Sequence, residues 1–243
     1  MKPTIERVIQ HQRDQCIVYD SCLVQDAKAA LFDPLHWGDK ASHHREGRGA
    51  VWFLSAPEGQ WVLKRYVRGG MMQHLLTDAY LFTGFTRTRM VREFNLLCQM
   101  RTLGLPVPTP VAAYAVKVGP FFYRGSLITE RITESASLAS LVIEGAMSEE
   151  CWLSVGSTIA EFHRAGVFHH DLNVTNVLNR QDQWFLIDFD KCRFMSTTSA
   201  GTWRRANLQR FQRSLCKISP ESANPESPAW KSLMRGYETE FAR

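Results

Sequence analysis

His169-His170-Asp171-Leu172-Asn173-Val174-Thr175-Asn176-Val177-Leu178, followed shortly by Phe185-Leu186-Ile187-Asp188-Phe189-Asp190, is the densest run of chemistry-bearing residues in the chain. Asp171 stands five residues before Asn176, and Asp188 closes a short apolar run 17 residues after Asp171. Carboxylate and amide oxygens at strand ends suit a hard cation such as Mg²⁺, which takes few protein oxygens and completes its octahedron with phosphate oxygens and water. Without such a use, unpaired carboxylates beside a core are costly.

Working outward, Gly47-Arg48-Gly49 leads into a strand, Lys64 sits on the next strand, and Glu93 follows 29 residues later on a helical stripe. A glycine-rich hairpin lets backbone N–H groups approach phosphates without a Cβ in the way. The lysine adds a point charge, and Glu93 can pair with it and fix its direction. Taken singly these features are ordinary: a Gly-x-Gly is commonly a plain turn, a strand lysine a solvated edge residue, a helix glutamate a wet-face residue. Five of them in this order are the ingredients of phosphoryl transfer from a nucleotide. His169 reads as scaffold under the loop rather than as a metal ligand, because a lone histidine is weak evidence for one.

Around these residues the pattern is strands first and helices afterwards. Cys16 to Tyr19 reads as a short strand, and Gly38 to Gly49, with His43 and His44, as loop. Ala50 to Leu54 and Trp61 to Tyr66 read as a hairpin closed by Ser55 to Gln60. Met90, Phe94, Leu97 and Met100 mark a helix over Arg87 to Leu103, stopped by Gly104 and Pro106. Val111 to Val118 and Phe121 to Glu130 read as strands, and Ser148 to Arg164 as a helix capped by Ser148. Val177-Leu178 and Trp184 to Ile187 are strand-like. Trp203 to Ile218 reads as a basic amphipathic C-terminal helix with Leu208, Phe211, Leu215 and Ile218 as its seam. That order predicts an α+β fold of two lobes, 1–130 holding an antiparallel sheet with one helix and 131–243 mainly helical.

Composition narrows the field further. With 44% hydrophobic and 22% charged residues, disorder, collagen and coiled coil are excluded. The 29 basic and 24 acidic side chains leave +5, a bias toward anionic partners. No run reaches the roughly 18 apolar residues of a membrane span, and the charged N-terminus lacks the core of a secretory signal. Six cysteines without a C-x-x-C pair read as reduced thiols. Nucleic-acid binding is not expected, since no recognised motif accompanies the charge.

The ordered set Gly47-x-Gly49, Val62-Leu63-Lys64, Glu93, His169-His170-Asp171-x-x-x-x-Asn176 and Asp188-Phe189-Asp190 resembles the protein-kinase-like superfamily. Two departures stand out. His170 replaces the usual arginine, which removes the cation that reads a phosphorylated activation loop. Asp190 replaces the last glycine, which works against a backbone flip. More narrowly, Glu161-Phe162-His163-x-x-Gly166-Val167-x-His169-His170-Asp171, the Asp-Phe-Asp-Lys turn and Arg68-Gly69-Gly70 are similar to the lipopolysaccharide kinases, the Kdo and heptose kinases of Gram-negative bacteria, and most to their Kdo members.

The resemblance implies an ATP- and Mg²⁺-dependent kinase. It would phosphorylate the 4-hydroxyl of Kdo (3-deoxy-D-manno-octulosonic acid) on a lipid A precursor, as a peripheral protein at the cytoplasmic face of the inner membrane. Asp171 would orient the attacking hydroxyl, and Asn176 and Asp188 would hold Mg²⁺. Gly47, Gly49 and Val51 would cover the phosphates and nucleotide, Val62 the adenine, and Lys64 with Glu93 the α/β-phosphates. Backbone groups of Glu130 and Ile132 would meet the adenine edge. Kdo carries a carboxylate, so Arg68, Lys191, Arg193, Arg204 and Arg205 are candidates to bind it. The basic helix and the stretch Tyr80 to Phe85, flanked by Arg87, Arg89 and Arg92, are candidates to touch an anionic leaflet. A monomer is expected. The competing readings are another small-molecule phosphotransferase (heptose, aminoglycoside or choline type), a catalytically dead nucleotide-binding kinase fold, and a metal-dependent phosphohydrolase.

Overall fold

Alternation of apolar residues builds the sheet that carries Lys64. A computed structural model describes residues 5–46, 49–66, 79–196 and 201–243. The chain divides into two compact units, 1–102 with 108–131, and 103–107 with 132–243.

The first unit contains β1 (Arg7–Gln12), β2 (Gln15–Asp20), the single turn α1 (Pro34–Trp37), β3 (Ala41–Glu46), β4 (Gly49–Ala56), β5 (Gly59–Arg65), β6 (Tyr80–Leu81), α2 (Arg89–Thr102), β7 (Pro110–Val118) and β8 (Phe122–Glu130). The strands pair in the order β1-β2-β7-β8-β5-β4-β3, with β6 added beside β8, and every pairing is antiparallel. One face of the β4–β5 hairpin buries Leu54, Trp61 and Leu63 in a core with Ile17, Phe32, Val111 and Ile128. Trp37 closes that core edge-on against Trp61 at 5.8 Å. The opposite face carries Val51, Phe53, Val62 and Lys64, with Val51 directly across from Lys64 and Phe53 across from Val62. The helix α2 runs with Met90, Phe94, Leu97 and Met100 fully buried, the stripe its spacing predicts.

In the second unit lie β9 (Ala136–Ser137), α3 (Leu138–Ile143), α4 (Glu149–Arg164), β10 (Val167–Phe168), β11 (Val177–Arg180), β12 (Gln183–Leu186), β13 (Arg193–Phe194), α5 (Thr202–Cys216) and α6 (Pro228–Phe241). The Ser148 hydroxyl accepts from the Cys151 N–H and caps α4. The α4 and α6 helices pack very closely: a Cβ on Gly156 would meet the Leu233 carbonyl oxygen at 1.9 Å, and one on Gly236 the Leu153 carbonyl oxygen at 2.0 Å. Pro106 belongs to this unit because its carbonyl accepts from the Leu186 N–H at 3.1 Å.

Three expectations are corrected. Residues 41–46, read as loop, form β3, where His43 pairs with Trp52 and His44 with Val51. Aromatic partners outweigh polar composition there: the His44 ring lies 4.2 Å from Phe53 and that of His43 4.7 Å from Trp52. The basic helix is not the last one, since α6 follows it. Its buried seam is Trp203, Asn207, Phe211 and Leu215, with Leu208 and Ile218 only partly covered. No helix among the described residues is long and apolar enough to cross a membrane.

Candidate active site

In the first unit the chemistry gathers on Glu93. Its side chain is 4% exposed and pairs with Lys64 Nζ at 3.2 Å, while the Tyr66 hydroxyl donates to the same carboxylate. Lys64 also lies 4.9 Å from the Tyr66 ring, and Arg89 sits over the rings of Tyr66 and Tyr80. The strand places Lys64 and the helix places Glu93, so neither side chain is free to wander. Val51 and Val62 are half-buried on the face that bears Lys64.

At the end of β8 the Glu130 N–H is taken by the Thr109 carbonyl (2.8 Å). The Ile132 carbonyl accepts from the Ser135 hydroxyl (2.7 Å). The Glu130 carbonyl and the Ile132 N–H take part in neither of these two bonds. Gly49 opens β4; Gly47 and Arg68 lie outside the described residues.

The second unit holds the loop that opened the sequence reading. The Asn173 side-chain oxygen accepts from the N–H groups of Thr175 (2.9 Å) and Asn176 (3.1 Å), and so caps a 3₁₀ turn over Val174–Asn176. The amide nitrogens of Asn173 and Asn176 both donate to the Asp171 carbonyl, at 3.1 and 3.0 Å. Asn176 therefore spends its nitrogen on the loop, and its amide oxygen is the atom left for a cation. The Ile187 N–H donates to the Asn176 carbonyl at 3.0 Å, which ties the loop to the segment bearing Asp188. Asp188 is exposed and adopts φ 62°, a left-handed conformation that aspartate tolerates better than most side chains. Phe189 after it is 1% exposed, stacked on Phe162 and 4.9 Å from His169. His169, 1% exposed, reaches the Ile187 carbonyl through Nε2 at 3.0 Å, the scaffold part expected of it.

The α5 helix supplies what the sequence reading missed. Asn207 accepts from the His169 N–H (3.2 Å) and donates to the His169 carbonyl (3.1 Å). Ser214 accepts from the Val174 N–H at 3.3 Å. Between them Arg210 donates from Nε to Asp171 Oδ1 at 3.0 Å, with a second guanidinium nitrogen on the same oxygen. Positions 207, 210 and 214 share one helix face, so a single stripe grips the loop at three points. The signal was present as polar residues at three- and four-residue spacing beside the apolar seam.

The described cations that the sequence did single out have different neighbours. Arg204 lies over Trp203 and Phe241, and Arg193 over Phe168. Lys191, at φ 62°, and Arg205 are exposed. The imidazole of His170 is held below its ordinary pKa, first by burial and then by Lys191, Arg210 and Arg193.

Among the described residues no cluster of three or more His, Cys, Asp or Glu side chains is assembled. One amide oxygen and one carboxylate fit a cation that Mg²⁺-like chemistry shares with phosphates and water, and fit poorly a metal caged by protein alone.

Comparison with known proteins gives the family. Residues 36–237 match the family described as lipopolysaccharide kinase (Kdo/WaaP). A curated 3-deoxy-D-manno-octulosonic acid kinase of Vibrio vulnificus is 37% identical over 228 residues, covering 92% of this chain and 95% of that one. One of Stenotrophomonas maltophilia is 40% identical over 230 residues, covering 93% and 91%. A solved structure titled "WaaP in complex with acyl carrier protein" shares the fold with TM-score 0.55 at 16% identity, over 85% of this chain and 83% of that one. With its two-unit α+β architecture, its loop of Asp171 and Asn176, and this match along most of its length, the chain belongs to the Kdo/WaaP lipopolysaccharide kinase family.

Proposed function

We propose that the protein is a kinase that transfers the γ-phosphoryl group of ATP, with Mg²⁺, to the 4-hydroxyl of Kdo on a lipid A precursor at the cytoplasmic face of the inner membrane. The observation that carries this reading is the braced loop of Asp171 and Asn176, in a chain aligned over 92–93% of its length with curated Kdo kinases.

Magnesium triphosphate, when bound, supplies an electrophilic γ-phosphorus whose charge is partly neutralised. Asp171 accepts the proton of the attacking hydroxyl at its carboxylate, and Asn173 and Asn176 hold the backbone that carries it. The Asn176 amide oxygen and the Asp188 carboxylate hold the cation. Lys64 binds the α/β-phosphates in the direction Glu93 and Tyr66 set. Val51 and Val62 cover the adenine, the Glu130 carbonyl and Ile132 N–H meet its edge, and Gly47 and Gly49 let backbone approach the phosphates. A single chain carries every one of these groups, so a monomer suffices. The anionic leaflet is met at the surface, with Leu81 and Phe121 as exposed apolar contacts and +5 net charge favouring approach.

Incubation with γ-labelled ATP, Mg²⁺ and lipid A precursors with and without Kdo tests the reading. Label on the Kdo-bearing lipid alone supports it. Label on a heptose-bearing acceptor instead moves the substrate, and nucleotide binding without any transfer returns the chain to a dead kinase fold.

A further inference from the structure

We propose that Arg210 selects an anionic acceptor: its guanidinium rests on Asp171 until the acceptor's carboxylate takes it over and leaves Asp171 to receive the hydroxyl proton. The inference rests on the reading of Asp171 as the acceptor's base.

Three observations carry it. Arg210 places Nε at 3.0 Å and a second nitrogen on one and the same oxygen, Asp171 Oδ1. A guanidinium has five N–H donors in a planar fork, so several remain for another anion. The two side chains are 45% and 44% exposed, so a solute can reach the pair and compete for it. Lastly, a base must lie within hydrogen-bond reach of the hydroxyl it deprotonates, about 2.6–3.2 Å. A cation resting on that base is then within about one sugar ring of the acceptor.

Of the cations the sequence singled out, the four that the structure describes are less well placed. Arg204 and Arg193 lie over aromatic rings, and among the described residues it is Arg210 whose side chain pairs with Asp171. A planar fork also matches a carboxylate better than an ammonium does.

The exchange balances. The hydroxyl oxygen bonds to the γ-phosphorus, the bond from that phosphorus to the β,γ-bridging oxygen breaks, and ADP leaves with the electron pair. The hydroxyl proton goes to Asp171, while Arg210 stays protonated and changes only its partner. A neutral acceptor leaves the guanidinium on Asp171, where two N–H groups occupy the oxygen Oδ1 of the carboxylate that must take the proton.

The test compares a Kdo-bearing lipid A precursor with its carboxyl methyl ester, by equilibrium binding and by turnover, in the full chain and in Arg210→Ala and Arg210→Lys. The unsubstituted enzyme is expected to bind the acid at least about tenfold more tightly than the ester. Arg210→Ala should lose about tenfold on the acid and little on the ester, with nucleotide affinity retained. Its discrimination should therefore fall to about one, and Arg210→Lys should restore part of it. If Arg210→Ala keeps the parent's discrimination, whatever happens to its rate, the residue only positions Asp171 and the proposal fails. Binding is read separately from turnover, so a catalytically dead variant still decides. Failure of the unsubstituted chain to bind or phosphorylate any Kdo lipid overturns the parent function instead, and is visible before any variant is compared.

Discussion

Asp171 does its work with two sets of atoms: its carbonyl anchors Asn173 and Asn176, and its carboxylate faces Arg210. Replacing the carboxylate by an amide keeps the first set and strips the second of its charge and of its capacity to take a proton. Asp171→Asn is expected to lower turnover by about 10²–10⁴, the usual worth of a positioned base, with nucleotide affinity kept. Initial rates and fluorescent-nucleotide titration check both halves, and a variant with near-parental rates contradicts the assignment. At Lys64 and Glu93 the burial is unequal, 27% against 4% exposed. Lys64→Met strands a buried carboxylate with Tyr66 as a remaining donor, whereas Glu93→Gln leaves an amine that can reach water. Denaturant melts should show Lys64→Met costing about 2–3 kcal/mol and Glu93→Gln clearly less. These residues were legible in the sequence because their chemistry is rare at that spacing. Arg210 was not: on a helix with Arg204, Arg205 and Arg213 it is one cation among several, and only the fold shows which one meets Asp171.

The α5 helix shows how an element can carry a site without containing its catalytic groups. Its Asn207 clasps the His169 backbone and also lies 3.4 Å from His163 Nε2, while Tyr237 of α6 is 2.9 Å from His163 Nδ1. Burial pushes the His163 pKa down to about 4. The folded value is depressed below the ordinary 6.5, so stability from a neutral His163 is full above pH 6.5 and is lost as pH falls toward 4. Between pH 7 and pH 5 this amounts to about 2 kcal/mol, and His163→Gln should remove that share of the slope in melts taken across the range. The α4–α6 crossing gives a second test: Gly156→Ala presses a methyl into the Leu233 backbone and should cost about 1–3 kcal/mol or more. The strand β3 escaped the sequence reading because Ser42, His43 and His44 look like loop chemistry, and it is cross-strand stacking that holds them. By contrast α4 announced itself through Ser148, and α2 through its four-residue stripe. The α6 crossing left only Gly156 and Gly236, two glycines that look like ordinary helix weak points until the helices are seen touching.

At the scale of the whole molecule, the proposed acceptor sets the requirement, since its sugar is attached to a lipid. Leu81, on β6, and Phe121, in the turn before β8, are 70% and 67% exposed, with Lys117 over Phe82 and Phe85, and Arg87, Arg92 and Arg124 exposed nearby in sequence. Sedimentation with phosphatidylglycerol vesicles should show binding that weakens as salt rises. Leu81→Ser together with Phe121→Ser should reduce it about tenfold or more. Binding that ignores both salt and anionic lipid content contradicts the assignment of this surface. Inhibitor discovery follows from the seat of Phe189, pinned between Phe162 and His169 and followed by Asp190 where a pliant glycine would allow the chain to swing. A drug that gained its grip by prying out that ring would first have to open a benzyl-sized hole, at about 3–5 kcal/mol, or two to four decades of potency. Compounds aimed at this enzyme should therefore compete head-on for the space of the nucleotide or of the sugar.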